Sequence, residues 1–170
     1  MSLPGVVFAE RQNIYDWWQL RNYDPPAAVA KLASDTTMGD YSRKLFYVNH
    51  PQLDNIENFH QDCADSERTI VLGCYRVSKG IFIYNVSDPR LSGVLEVTAA
   101  HETLHAAYQR LNSSEKKHID YLTQQVFANI KDERIKSTVA QYRSKDPSVV
   151  PNELHSILGT EVRKLPPELE

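Results

Sequence analysis

A chain of 170 residues has the length of one ordinary domain and enough material to bury a core. Its net charge of −3, with acids and bases interspersed, leaves no basic stripe for nucleic acid, and KDERIK and SSEKKH read as solvated helix faces. No apolar run reaches the ~18 residues of a membrane span, and no secretory leader is legible at the N-terminus. MSL at the start and LPPELE at the end read as the edges of a trimmed sequence, so a leader or anchor outside it stays open.

In chain order, residues 10–21 (ERQNIYDWWQLR) and 26–36 (PAAVAKLASDT) predict two helices. Asp24-Pro25-Pro26 parts them, because proline stops one helix and opens the next. Trp17 and Trp18 are expected to anchor the first helix. KLFYVNHP predicts a strand over Leu45–Val48, ended by Pro51, and DNIENFHQDC a short helix opened by Asp54. RTIVLGCYRV and GIFIYNV, parted by Ser78, Lys79 and Gly80, have the β-branched and aromatic content of a hairpin. Ile81 to Tyr84 are apolar on both faces, as in a buried central strand.

Beyond the turn SDPRLSG, apolar residues at Val97, Ala100, Leu104, Ala107, Tyr108 and Leu111 have helical spacing, which predicts a helix over Val94–Leu111. Asn112 and Glu115 form a capping box for the next helix, whose inward stripe is Ile119, Leu122, Val126 and Ile130. A further helix is expected over Asp132–Arg143, and a last one over PNELHSILGTEVRKL with Pro151 near its first position.

Cys63 and Cys74 are the only cysteines, with ten residues between them and no CxxC spacing, so neither a zinc ribbon nor a thioredoxin-type motif fits. Two readings stay open. A disulfide would contribute about 3 kcal/mol by loop entropy and imply an oxidising, extracytoplasmic or secreted setting; two small buried thiols would suit the cytoplasm. Asn85-Val-Ser and Asn112-Ser-Ser match the glycosylation sequon, although Asn112 already has its capping role.

Within the predicted helix over 94–111 lies AAHETLHAAY. His101 and His105 are one turn apart on one face, so both imidazoles can aim at a shared metal. Neutral imidazole is a preferred zinc ligand, and Glu102 beside the first histidine is placed to act as general base on a water. Three polar groups on an alanine-rich helix would otherwise need other partners, since burying them bare costs several kcal/mol.

Downstream, Asn152 to Thr160 read NELHSILGT. HExxH followed by NExxS on a later helix resembles the gluzincin metallopeptidases, the thermolysin-like clan, whose second helix reads NExxSD and then GT. The resemblance covers two helices and little between them, as in a minimal single-domain form. It implies one Zn2+ per chain held by His101, His105 and Glu153, the last 48 positions after His105. It also places Asn152, Ser156, Gly159 and Thr160 on the supporting helix. Ile157 stands where the pattern has the aspartate that orients the first histidine. Glu161, about 80° round the helix from Glu153, is the candidate replacement and the alternative third ligand. His155, about 200° from Glu153, should point away from the metal. Tyr108, His118 and Tyr121 remain open as oxyanion donors. The strand Gly80–Val86 occupies the place where family members pair with an extended peptide.

The expected fold is α+β: a small, mostly antiparallel sheet of three to four strands, packed with an HExxH helix and a C-terminal glutamate helix, zincin-like as the resemblance implies. Along the chain this gives one domain with an N-terminal helical segment (1–40), a sheet region (41–92) and a helical metal-binding region (93–170). The expected activity is zinc-dependent hydrolysis of peptide or protein substrates. The alternative is a non-catalytic zinc-binding or cell-surface interaction module.

Overall fold

The computed structural model describes residues 4–63 and 72–169, with side chains from residue 10 onward at the N-terminal end. The chain is α+β. Among the described residues, eight α-helices accompany one three-stranded sheet, and residue contacts gather into two compact units, Met1–Ala99 and Ala100–Glu170.

The first unit opens with α1 (Pro4–Leu20) and α2 (Ala27–Asp35), parted at the prolines as expected. The segment Leu45–Val48 is not a strand. It is the second half of α3 (Asp40–Val48), which buries Leu45, Phe46 and Val48. A four-residue apolar run fits either element, and here the turn from Asp40 to Lys44 extends it into a helix. The strand comes later, as β1 (Gln52–Asp54), and Asn55 rather than Asp54 caps α4 (Ile56–Asp62), accepting from the Asn58 amide at 2.9 Å.

β2 (Gly73–Arg76) and β3 (Gly80–Tyr84) form the predicted hairpin, Arg76 opposite Gly80. The start of the predicted first strand, 68–71, lies outside the described residues. Ser78 turns the three-residue loop at φ 64°, and Gly80 enters β3 at φ 134°. A Cβ on Gly80 would stand 2.6 Å from the carbonyl oxygen of Asn49, so a side chain is excluded there by space as well as by dihedral.

Sheet order is β1-β3-β2, with β1 parallel and β2 antiparallel to β3. The sheet is therefore mixed, not mostly antiparallel, because β1 reaches β3 by a crossover through α4 rather than by a tight turn. β3 is central and buried from Gly80 to Ile83, as its two-faced apolarity predicts. Both its edges are taken, so it has no free edge for an extended peptide. Ile81 and Ile83 pack with Leu32, Phe46 and Ala99 into the main core of this unit. Phe59, Phe82, Cys63 and Cys74 form a second cluster. The two cysteines are joined at a Cα separation of 6.1 Å, tying the end of α4 to β2.

After a 3₁₀ turn at Pro89–Leu91, α5 (Val94–Gln109) runs from the first unit into the second. The second unit continues with α6 (Ser113–Ala128), α7 (Glu133–Lys145) and α8 (Val150–Glu161). α6 begins with the predicted box: the Asn112 side chain accepts from the Glu115 amide at 3.0 Å, and the Asn112 amide donates to Glu115 Oε2 at 2.7 Å. Asp132 caps α7. Ile135 and Val139 of α7 meet Leu154, Ile157 and Leu158 of α8 in the core of this unit. Gly159 permits a close approach of α8 to α5, since a Cβ there would lie 2.6 Å from Leu104 Cδ1.

Candidate metal centre

His101, Glu102 and His105 project from the second-unit part of α5, and one ligand atom from each can be chosen so that all lie within 4.8 Å of one another. Glu102 and His105 are buried. Glu153 comes from the first turn of α8 and faces both rings, its Oε2 3.7 Å from His101 Nε2 and its Oε1 3.6 Å from His105 Nε2. The two rings stand edge to face, centroids 4.7 Å apart.

His105 is the more tightly held. Its Nδ1–H donates to Asn152 Oδ1 at 3.0 Å, and Ser156 Oγ lies 3.2 Å from the same nitrogen. A carboxamide oxygen only accepts, so the proton sits on Nδ1 and the Nε2 lone pair faces the Glu153 side. Asn152 and Ser156, one turn apart on α8, thus grip one imidazole from behind. Ile157 is buried in the apolar core between α7 and α8.

Electrostatics follow from crowding three acids and two imidazoles. Burial pushes His101 down, but Glu153, Glu102 and Glu161 outweigh it and leave the ring above the usual histidine value. For His105 burial prevails, helped by His101, and the ring stays below that value despite Glu153 and Asn152. Burial pushes Glu153 up, yet the two histidines and a hydrogen bond from Tyr142 hold it below the usual glutamate value. The buried Oε2 of Glu153 has no hydrogen-bond partner.

Two imidazole nitrogens and a carboxylate are a recognised zinc donor set. Ligands about 2.0–2.1 Å from a tetrahedral ion lie about 3.4 Å from one another, close to the 3.6 and 3.7 Å found between Glu153 and the rings. The orphaned Oε2 is the atom such an ion would satisfy. The residues fit a divalent metal.

Glu161 lies elsewhere in the arrangement: its carboxylate pairs with the Arg134 guanidinium of α7, and it reaches His101 only as a nearby charge. His155 packs against Tyr108, ring centroids 5.6 Å apart. Burial, reinforced by His105, lowers its pKa to about 4. The Tyr108 hydroxyl donates to Asp120 at 2.7 Å, while His118 and Tyr121 are exposed. Tyr142 was not singled out from the sequence. Its signal is the spacing Ile135, Val139, Tyr142, which puts the tyrosine on the inward face of α7.

No protein-family model matches the chain, and neither does any curated protein or solved structure at a significant level.

Proposed function

We propose that the protein is a zinc-dependent peptidase in which His101, His105 and Glu153 hold the ion and Glu102 handles the proton. The reading rests most on one observation: Glu153, from a different helix, sets its two carboxylate oxygens toward the two Nε2 atoms of the HETLH motif. Glu102 is better suited to base than to ligand, because it sits about 100° round α5 from His101.

When bound, zinc supplies Lewis acidity to a water and to a peptide carbonyl. The chain's own groups supply the rest. Asn152 fixes the His105 tautomer so that Nε2 keeps its lone pair. The Glu102 carboxylate accepts a proton from the attacking water and returns it to the leaving amine nitrogen. Glu102 is buried, and away from bulk water its carboxylate interacts more strongly with neighbouring charge. The Cys63–Cys74 bridge supports an oxidising, extracytoplasmic setting for this activity. Metal binding without hydrolysis is the second reading, favoured by the engagement of the Tyr108 hydroxyl with Asp120.

Metal analysis and a peptide-library digest test both readings. About one zinc per chain is expected in the wild type and in Glu102→Gln, with loss in His101→Ala. Cleavage falls about 10²–10⁴-fold in Glu102→Gln while zinc is retained. Absence of zinc in wild-type protein purified at neutral pH without chelator overturns the metal site. Zinc without any cleavage by the wild type selects the second reading.

A further inference from the structure

Helix α1 is amphipathic in the wrong sense for a helix that merely packs. Its polar residue Asp16 is turned inward, 3% exposed, with its carboxylate 3.0 Å from Lys44 Nζ of α3. Among its described side chains the large apolar ones Ile14, Trp17 and Trp18 face solvent, 67%, 64% and 56% exposed. Ile14, Trp17, Trp18 and Arg21 follow the i, i+3, i+4, i+7 rule and form one stripe. These are the chain's only two tryptophans, so the expectation that they anchor the helix to the core is overturned. What ties α1 down is polar: the Asp16–Lys44 pair, and the Gln19 carbonyl oxygen, 3.1 Å from His50 Nε2.

The charge beside the stripe is positive. The Arg21 guanidinium carbon lies 5.8 Å from the Trp17 ring centroid and 5.8 Å from that of Trp18, within cation–π reach of both. An open groove of about 320 Å³ runs between Asn13, Trp17 and Leu20 of α1, Arg21 just beyond its end, and Lys44 of α3. The Arg21 guanidinium, an amide and an indole thus border one depression, with the Lys44 ammonium balanced by Asp16. From Ile14 to Arg21 the only carboxylate is Asp16, already taken inward. A second copy of this face would therefore bring no acid to the groove.

We propose that this face of α1 docks on an anionic lipid surface. The indoles enter the boundary between headgroups and acyl chains, where amphipathic rings are favoured. A lipid phosphate meets the Arg21 guanidinium at the edge of the groove, the Lys44 ammonium being held by the Asp16 carboxylate. Among the described residues no helix is long and apolar enough to cross a membrane, so the helix lies along the surface. One short stripe gives weak, reversible, salt-sensitive attachment. Nothing in this proposal depends on the metal centre.

Vesicle co-sedimentation and tryptophan emission of the full chain test it, using phosphatidylcholine alone and mixed with phosphatidylglycerol. The expected result is a blue shift and co-sedimentation with the anionic vesicles only, both reversed by high salt. Arg21→Ser should weaken partition about fivefold, the equivalent of one cation near the surface. Trp17→Ser with Trp18→Ser should abolish co-sedimentation while circular dichroism stays that of the wild type. No partition into anionic vesicles overturns the proposal, as does partition that survives the double serine variant. A blue shift that grows with protein concentration in the absence of vesicles overturns it in favour of self-association.

Discussion

The two compact units bury different chemistry. In Met1–Ala99 the core is aliphatic and aromatic around β3, and the buried polar residues are Asp16, paired with Lys44, and Asp54. In Ala100–Glu170 Glu102, Thr103, His105, Thr123 and Ser156 are all buried. Buried polar groups are tolerated when partnered and costly when not. The second unit supplies partners in a chain: Asn152 and Ser156 for His105, Asp120 for Tyr108, Tyr142 for Glu153. It stops short at Glu153 Oε2 and at His155 Nδ1. The first unit is thus a frame held by shape, and the second is where a bound ion has the most stability to add.

Breaking the frame gives the largest expected effect. Gly80→Ala forces a Cβ to within 2.6 Å of the Asn49 carbonyl oxygen and puts alanine at φ 134°. Backbone cannot swing aside as a side chain can, so strain and overpacking together cost about 3 kcal/mol. Urea denaturation checks this. A loss below about 0.5 kcal/mol would mean that the β2–β3 turn relaxes freely and the frame is not held by shape.

Weakening the polar chain comes next. Asn152→Ala removes the acceptor for His105 Nδ1 and leaves only Ser156 Oγ behind the ring. Loss of such an outer partner lowers metal affinity about 10–100-fold. Zinc competition against a chromophoric chelator measures it, and Asn152→Asp, which again offers an oxygen acceptor, should recover most of the affinity. Equal affinity in the alanine variant would show that the Asn152 contact does not hold the ring.

How much of this was legible follows the range of the interactions. HETLH on a helix, the Asn112–Glu115 box and the β2–β3 hairpin depend on neighbours in sequence, and local spacing was enough to read them. Placing Glu153 needed the pairing of two distant motifs, which only a resemblance supplied. The misreadings share a cause. Leu45–Val48 was taken as a strand because four apolar residues carry no period, and β1 was hidden because its three residues pair with β3 across an intervening helix. Large apolar residues usually face inward, which points Trp17 and Trp18 to the core; the polar contacts of Asp16 and Gln19 with α3 and His50 are long-range and carry no local signal. Tyr142 meets Glu153 only after α7 and α8 have packed, and Asn152 meets His105 only after α5 and α8 have.

The smallest effect comes from the other buried acid of the first unit. Asp54 ends β1 with its Oδ2 buried and without a hydrogen-bond partner. Burial, with the nearby negative charge of Asp62, pushes its carboxyl above the usual aspartate value. A carboxyl that holds its proton more tightly when folded than when unfolded makes the native state the better proton binder between the two pKa values. Its contribution to stability is therefore complete below the unfolded value, near 3.9, and is lost as pH rises through the raised folded value. Above that folded value the wild type carries an ionised carboxylate whose Oδ2 is buried without a hydrogen-bond partner. Asp54→Asn removes that charge and should raise stability at pH 7 by about 1 kcal/mol. The advantage should shrink as pH falls toward 4, because the protonated acid and the amide are then alike in charge. Thermal melts of both proteins across this range measure it. A variant no more stable than the wild type at pH 7 would mean that Asp54 has a compensating partner and that its ionised form carries no penalty in the first unit.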